Sequence, residues 1–294
     1  MDCDNTQEEH LSMIEIYIDP NLAAFGDLVL AWHGIFTAVG ILAGVWLAAR
    51  VMRGYGLSDE PVYNAIIIAV PSAIVGARLL FVLGNWGQFS DNVLNAFLIY
   101  KGGISVWGAV LGGILGGLYH ALRSKTPLAE FADAAGMGLF FGMAIGRIGD
   151  IINGEHRGSP SDAPWSVRYT HPDTLGEIGQ SVHLAVGYEM VWDLTLVSLL
   201  LILMRRLRVR GAVFWLFLIL YAIGRIWTHE YRTDGGQVLG LQEAQFLGLL
   251  TLAIAVPGLL WILWTARRHP PLASGIATTT PNRGVEAGTP DSAN

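Results

Sequence analysis

The sequence predicts an all-α polytopic membrane protein with seven transmembrane helices, its N-terminus outside and its C-terminus cytoplasmic. Three observations carry that expectation. Hydrophobic residues fill 52% of the 294 positions and charged residues only 14%, a balance that would not keep a domain of this length in solution. Apolar runs of about 20 residues, enough to cross ~30 Å of hydrocarbon, recur over 28–49, 61–84, 102–121, 130–149, 185–204, 211–229 and 241–265. Basic residues cluster after every second run, as the retention of lysine and arginine on the cytoplasmic side requires.

In order along the chain, the N-terminal stretch is acidic (Asp2, Asp4, Glu8, Glu9, Glu15, Asp19) and lacks the apolar core of a cleavable signal peptide. Arg50 and Arg53 follow the first run, Arg123 and Lys125 the third, Arg205, Arg206, Arg208 and Arg210 the fifth, and Arg267 and Arg268 the seventh. The opposite, outer face receives the acidic stretch, the turn after the second run, the loop 150–184 and the turn 230–240. Residues 1–270 thus read as one seven-helix domain, and the Thr-, Pro-, Gly- and Ala-rich segment 271–294 as a disordered cytoplasmic tail. The formal charge of −6 argues against a nucleic-acid partner. Cys3 is the sole cysteine, which excludes intramolecular disulfides and cysteine-based metal sites.

Two runs carry ridges of small residues. Gly108, Gly112 and Gly116 recur every fourth position in the third, beside Gly102, Gly103, Gly113 and Gly117; Gly138, Gly142 and Gly146 repeat the spacing in the fourth. Such ridges let helix backbones approach closely in lipid, and a close-packed pair also holds a cavity rigid.

Ionisable groups inside the runs are more informative, because a charge at mid-bilayer costs about 2.5–3.5 kcal/mol on insertion scales. Arg78, Arg147 and Arg225 meet that description. For Arg78 two readings stand, a structural group bonded to carbonyls of neighbouring helices or a member of the site. Arg147 and Arg225 lie toward the outer ends of their helices, and two guanidinium forks converging there suit a phosphate. An anionic lipid headgroup is the natural phosphate at that depth. Tyr221, Arg225, His229 and Arg232 share a helix face, whereas Glu230 points roughly 140° away; an interfacial belt is the other reading of that stripe. Glu189 and Asp193, one turn apart, are either counter-ions for the arginines or an acid and base. The tryptophans are most simply aromatic belts, and His10, His120 and His269 need no functional reading.

GRIGDIINGEHRG at 146–158, GGISVWGAVLGG at 102–113 and YAIGRIWTHEYRTD at 221–234 resemble prolipoprotein diacylglyceryl transferase, the bacterial membrane enzyme that starts lipoprotein maturation. The resemblance extends from WHG at 32–34 through GAR at 76–78 and HLAVGYE at 183–189 to QEAQFLGL at 242–249. It implies transfer of a diacylglyceryl group from phosphatidylglycerol to the lipobox cysteine of a secreted preprolipoprotein, forming a thioether and releasing glycerol 1-phosphate. It also implies the bacterial inner membrane, an active site near the outer leaflet, and no metal or organic cofactor. Arg147 and Arg225 would hold the leaving phosphate. Glu155 and His229 would join them as catalytic groups, and Asn153, Asp150, Gly103, Trp107, Tyr221, Arg78 and His33 would bind substrate.

The sequence departs from the family pattern at four of these places. Trp107 stands where histidine is usual, Asp150 where asparagine is common, His33 where tyrosine is frequent, and His229 where glutamate is expected, with Glu230 displaced by one. A concerted swap would let His229 or His33 supply the base that position 107 lacks. Two other readings remain: a paralogue that keeps the anionic-lipid pocket but acts on another acceptor, and an anion transporter, although no inverted repeat links the two halves.

Overall fold

The computed structural model describes residues 14–268 apart from 27, 91, 99–101, 208 and 234–235. The expectations for Asp2, Cys3, Asp4, Glu8, Glu9, His10, Arg208, His269 and the tail 271–294 therefore fall outside the described residues. In chain order the elements are β1 (Ile14–Ile16), β2 (Asn21–Phe25), β3 (Leu28–Ala31), α1 (Trp32–Gly54), α2 (Glu60–Gly84), α3 (Val106–Arg123), α4 (Leu128–Asn153), β4 (Val167–Tyr169), β5 (Ser181–Val182), α5 (Ala185–Met204), α6 (Ala212–His229), β6 (Gln237–Val238), β7 (Leu241–Gln242) and α7 (Glu243–Arg268). Each of the seven apolar runs contains a helix. Six are long and apolar enough to cross a membrane. The exception, α3, has 18 residues and its apolarity is diluted by Gly108, Gly112, Gly113, Gly116 and Gly117.

Two runs begin later than hydropathy suggests. Residues 28–31 form the second arm of the hairpin β2–β3, so the first helix opens at Trp32. Residues 102–105 are outside the helix, with Gly102 and Gly103 at positive φ, and Ser105 caps α3 by accepting from the Gly108 amide. The short strands carry no strong alternation, so hydropathy alone does not reveal them. β1 pairs in parallel with β4, and β4 pairs antiparallel with β5. The N-terminal segment and the 154–184 loop therefore meet in one small cap at a single end of the bundle. The turn 230–240 joins them, since Gly158 bridges Arg232 and the Thr233 amide donates to the Arg157 carbonyl.

The glycine ridges face different partners. In α4, Gly138 and Gly142 lie against Gly44 and Gly40 of α1; in α3, Gly108, Gly112 and Gly116 lie against Gly76, Ser72 and Ala69 of α2. A methyl group at most of these positions would strike a facing carbonyl, so the backbones themselves are in contact. Gly146 differs: its amide nitrogen still faces Gly40, but a Cβ on Gly146 itself would point into open space. The α1–α4 and α2–α3 pairings are the most extensive in the molecule, and α7 packs on α6.

At the end opposite the cap, one buried carboxylate ties three helices. Asp133 of α4 is 0% exposed and accepts from the Tyr55 hydroxyl and from the Gly211 and Phe214 amides, each at 2.7 Å. A carboxylate from one helix thus caps the N-terminus of another, where the peptide dipoles favour negative charge. Burial and the neighbouring Asp133 raise the Tyr55 phenol far above its ordinary value, so it remains a donor. Asp133→Ala would orphan a hydroxyl and two amides at ~1–3 kcal/mol each. Thermal unfolding in detergent should therefore register a loss on the order of 3 kcal/mol or more, with Asp133→Asn milder; a loss below about 1 kcal/mol would show that Asp133 does not hold the joint.

Candidate functional site

The site grows from the end of α4. Gly154 terminates the helix in the left-handed region at φ 72°, which glycine adopts without strain. The segment 174–176 closes over this turn, for the Leu175 amide and the Thr174 hydroxyl both donate to the Asn153 carbonyl, at 2.9 and 3.3 Å. The Tyr169 hydroxyl adds a bond to the Ile151 carbonyl at 2.9 Å, and burial pushes this phenol up to about 12. These bonds fix the last two turns of α4, which carry Arg147, Asp150 and Asn153.

Arg147 and Arg225 meet. Glu189 of α5 forms an ion pair with Arg147 Nη2 at 2.6 Å, receives Arg225 Nη1, and accepts from Arg232 Nη1 at 3.1 Å. Arg147 Nη1 also donates to Asp150 Oδ2 at 2.8 Å. Glu189 and Asp193 are both buried, at 5% and 3% exposure, and of the two readings of that pair the counter-ion reading fits Glu189. Three guanidiniums from α4, α6 and the turn after α6 are thus held on one carboxylate. Beside them a cleft between α4, α5 and α6 is lined by Met143, Arg147, Glu189, Trp192, Asp193, Tyr221, Gly224, Arg225 and Thr228. Gly224 leaves room for the Trp192 indole, which donates to the Leu220 carbonyl at 3.2 Å, and Tyr221 stacks on Phe217.

A second polar group adjoins the first. His33, in the opening turn of α1, has Nδ1 2.6 Å from Asp150 Oδ1 and 3.5 Å from Glu155 Oε1, and Asn153 Nδ2 donates to Glu155 Oε1 at 3.2 Å. The backbone of His33 comes this close because Gly149 has no side chain: a Cβ there would lie 2.7 Å from the His33 Cα. The donor atoms of His33, Asp150 and Glu155 lie within 4.8 Å of one another, near enough for one cation. Both Asp150 oxygens are already engaged, one by His33 and one by Arg147, so the group reads as a hydrogen-bonded ionic network.

The remaining expected residues sit elsewhere. The Arg78 guanidinium donates to the carbonyls of Ala96, Gly102, Gly103, Asn95 and Leu98 and lies over the Phe81 and Phe89 rings. It ties residues 95–98 to Gly102 and Gly103 apart from the arginine cleft, and these bonds fit the structural reading of Arg78. Trp107 is half-exposed and donates its indole N–H to Glu243 Oε1 at 2.9 Å, linking the starts of α3 and α7. His229 is 3% exposed with both ring nitrogens buried, and its neighbour Thr228 faces the cleft. Glu230 accepts from Gln245 of α7, away from Arg225 as its helical angle predicts. The feature that sequence reasoning missed is Arg232 as a third guanidinium on Glu189; its place on the Arg225 face was the available signal.

The model of the prolipoprotein diacylglyceryl transferase family matches residues 20–262. The chain belongs to this family. A Dehalococcoides mccartyi protein named phosphatidylglycerol–prolipoprotein diacylglyceryl transferase is 37% identical over 247 residues, covering 83% of this chain and 94% of the relative. Proteins of the same name from Symbiobacterium thermophilum and Synechococcus elongatus are 35% and 32% identical, covering 88% and 85% of this chain and 96% and 90% of theirs. The four positions at which the resemblance sets this sequence apart fall into three places. Two of them, His33 and Asp150, come from helices far apart in sequence and are bonded to each other. Trp107 has its own partner in Glu243, and His229 is enclosed at the end of α6.

Proposed function

We propose that this chain transfers the diacylglyceryl group of phosphatidylglycerol to the lipobox cysteine thiol of a secreted preprolipoprotein, forming a thioether and releasing glycerol 1-phosphate. The observation that carries this reading is the convergence of Arg147 and Arg225, from separate helices, at the wall of one cleft. The reaction turns a phosphodiester into a departing phosphomonoester, and the charge that grows on its oxygens needs fixed cations in a poorly solvated place. Each guanidinium has five N–H groups, of which Glu189 and Asp150 take only part, so donors remain for phosphate oxygens. Because Glu189 already holds both forks, little reorganisation accompanies the reaction.

Tyr221 and Trp192 give the cleft an aromatic wall against which the glyceryl carbons lie, with the acyl chains left in the bilayer. Asn153 and Glu155, joined to each other and to His33, are the polar groups this reading assigns to the acceptor peptide. In this reading the protein is a multi-pass enzyme of the bacterial plasma membrane, its cleft near the outer leaflet, and its partners are phosphatidylglycerol and signal peptides bearing a lipobox. The bacterial relatives and the apolar helices support the multi-pass membrane part of this reading. Mass spectrometry of a lipobox-cysteine peptide incubated with the purified protein and phosphatidylglycerol tests it. A gain of one diacylglyceryl unit on the cysteine is expected; no gain, with the protein folded and the lipid bound, assigns the cleft to another acceptor.

A further inference from the structure

A thiol attacks as its thiolate, so a transferase to cysteine needs a proton acceptor that the incoming sulfur can reach. Four histidines lie around the arginine network, and three have environments that suit other work. His229 has both ring nitrogens buried. His156 accepts from Arg232 Nη2 on Nδ1 at 2.7 Å and has Nε2 only at 3.8 Å from Asp150 Oδ2. His183 has Nδ1 3.0 Å from the Tyr188 hydroxyl and meets the Tyr188 and Tyr231 rings edge-on. His33 differs. Its side chain is 44% exposed, and one ring nitrogen, Nδ1, is engaged by the Asp150 carboxylate at 2.6 Å. A carboxylate on Nδ1 selects the tautomer with the proton on that nitrogen and leaves the Nε2 lone pair to accept another, the division of labour found wherever an aspartate orients a histidine base.

We propose that His33 is the general base of the transfer, with Asp150 its positioning residue. The inference rests on the transferase reading above. The acceptor S–H proton moves to His33 Nε2, and the sulfur electron pair forms the bond to the terminal glyceryl carbon. The bond from that carbon to the phosphate oxygen breaks, its pair staying on the oxygen between Arg147 and Arg225. The imidazolium proton then passes to the released phosphomonoester. Asp150 couples the two halves of the step, because Oδ1 holds the base and Oδ2 holds Arg147, the phosphate clamp. The charged and titratable groups around His33 among the described residues are Asp150, Glu155 and, at longer range, Arg147, with the His156 imidazole on the far oxygen of Asp150 at 3.8 Å. His156 is tied to Arg232 through its other nitrogen, which leaves His33 as the imidazole of this group that Asp150 orients through a short bond.

The experiment follows peptide conversion by the full-length protein in phosphatidylglycerol vesicles, from about pH 5 to about pH 9. Wild type should rise through the imidazole range and level off. His33→Ala should lose that limb, with kcat at neutral pH down about 10²–10⁴-fold, KM for the lipid little changed, and activity returning as pH nears the thiol value of ~8.5. Added imidazole should restore part of the rate. Wild-type turnover with a His33→Ala variant that keeps the same limb and a rate within about threefold overturns the base while leaving the transferase reading intact; absence of conversion by wild type overturns both. If His33→Ala fails to fold, Asp150→Asn reads the same point: its kcat should fall at least about tenfold with a displaced limb, and an unchanged profile again overturns the inference.

Discussion

Arg147→Ala should lower conversion of a lipobox peptide by at least about 10²–10³-fold, the loss typical of removing one preorganised donor to a developing anion. The fold should survive, because each carboxylate that Arg147 serves keeps another hydrogen-bonding partner: Glu189 retains Arg225 and Arg232, and Asp150 retains the His33 imidazole. Arg147→Lys sharpens the test. A lysine keeps the charge but cannot span Asp150 and Glu189 with a planar fork, so it should recover only part of the rate. Turnover of Arg147→Ala within about threefold of wild type, measured by mass spectrometry of the peptide, would remove this arginine from the reaction.

Glu189→Ala should do more damage to the protein itself. It leaves Arg147, Arg225 and Arg232 facing one another with their shared counter-ion gone. Breaking a buried ion pair by deleting one partner costs about 3–5 kcal/mol, which for a chain of this size lowers the unfolding midpoint on the order of 10 °C. Glu189→Gln keeps the shape and one acceptor, and should fall between the two. If the alanine variant melts with wild type in the same detergent, Glu189 is not what holds the guanidiniums together, and the preorganised clamp loses its physical basis.

Much of this arrangement was legible in the sequence because it rests on local periodicity and cost. Twenty-residue apolar runs have one structural solution in lipid, so the seven helices could be placed to within a few residues. An arginine in such a run needs a partner, which singled out Arg147 and Arg225. Which acid would serve them was not legible: Glu189 lies 42 and 36 positions away from them, and only tertiary packing joins α4, α5 and α6 there. The same limit applies to His33 and Asp150. Each looked like an isolated departure from a motif, and nothing in one dimension says that Gly149 brings the start of α1 onto the end of α4. Arg78 shows the converse, since its five carbonyl partners lie in backbone turns that apolar periodicity concealed, three at Asn95, Ala96 and Leu98 and two at Gly102 and Gly103.

The two glycine-lined pairings also set a timetable for assembly. α2 and α3 are neighbours in the chain, so their interface is available as soon as the ribosome has delivered both. The partner of α1 is α4, and until Leu128 onward has been synthesised the grooved face of α1 has only lipid against it. A nascent chain halted between these points would hold one finished hairpin and one unmated helix, the stage at which membrane quality-control proteases would find most to cut.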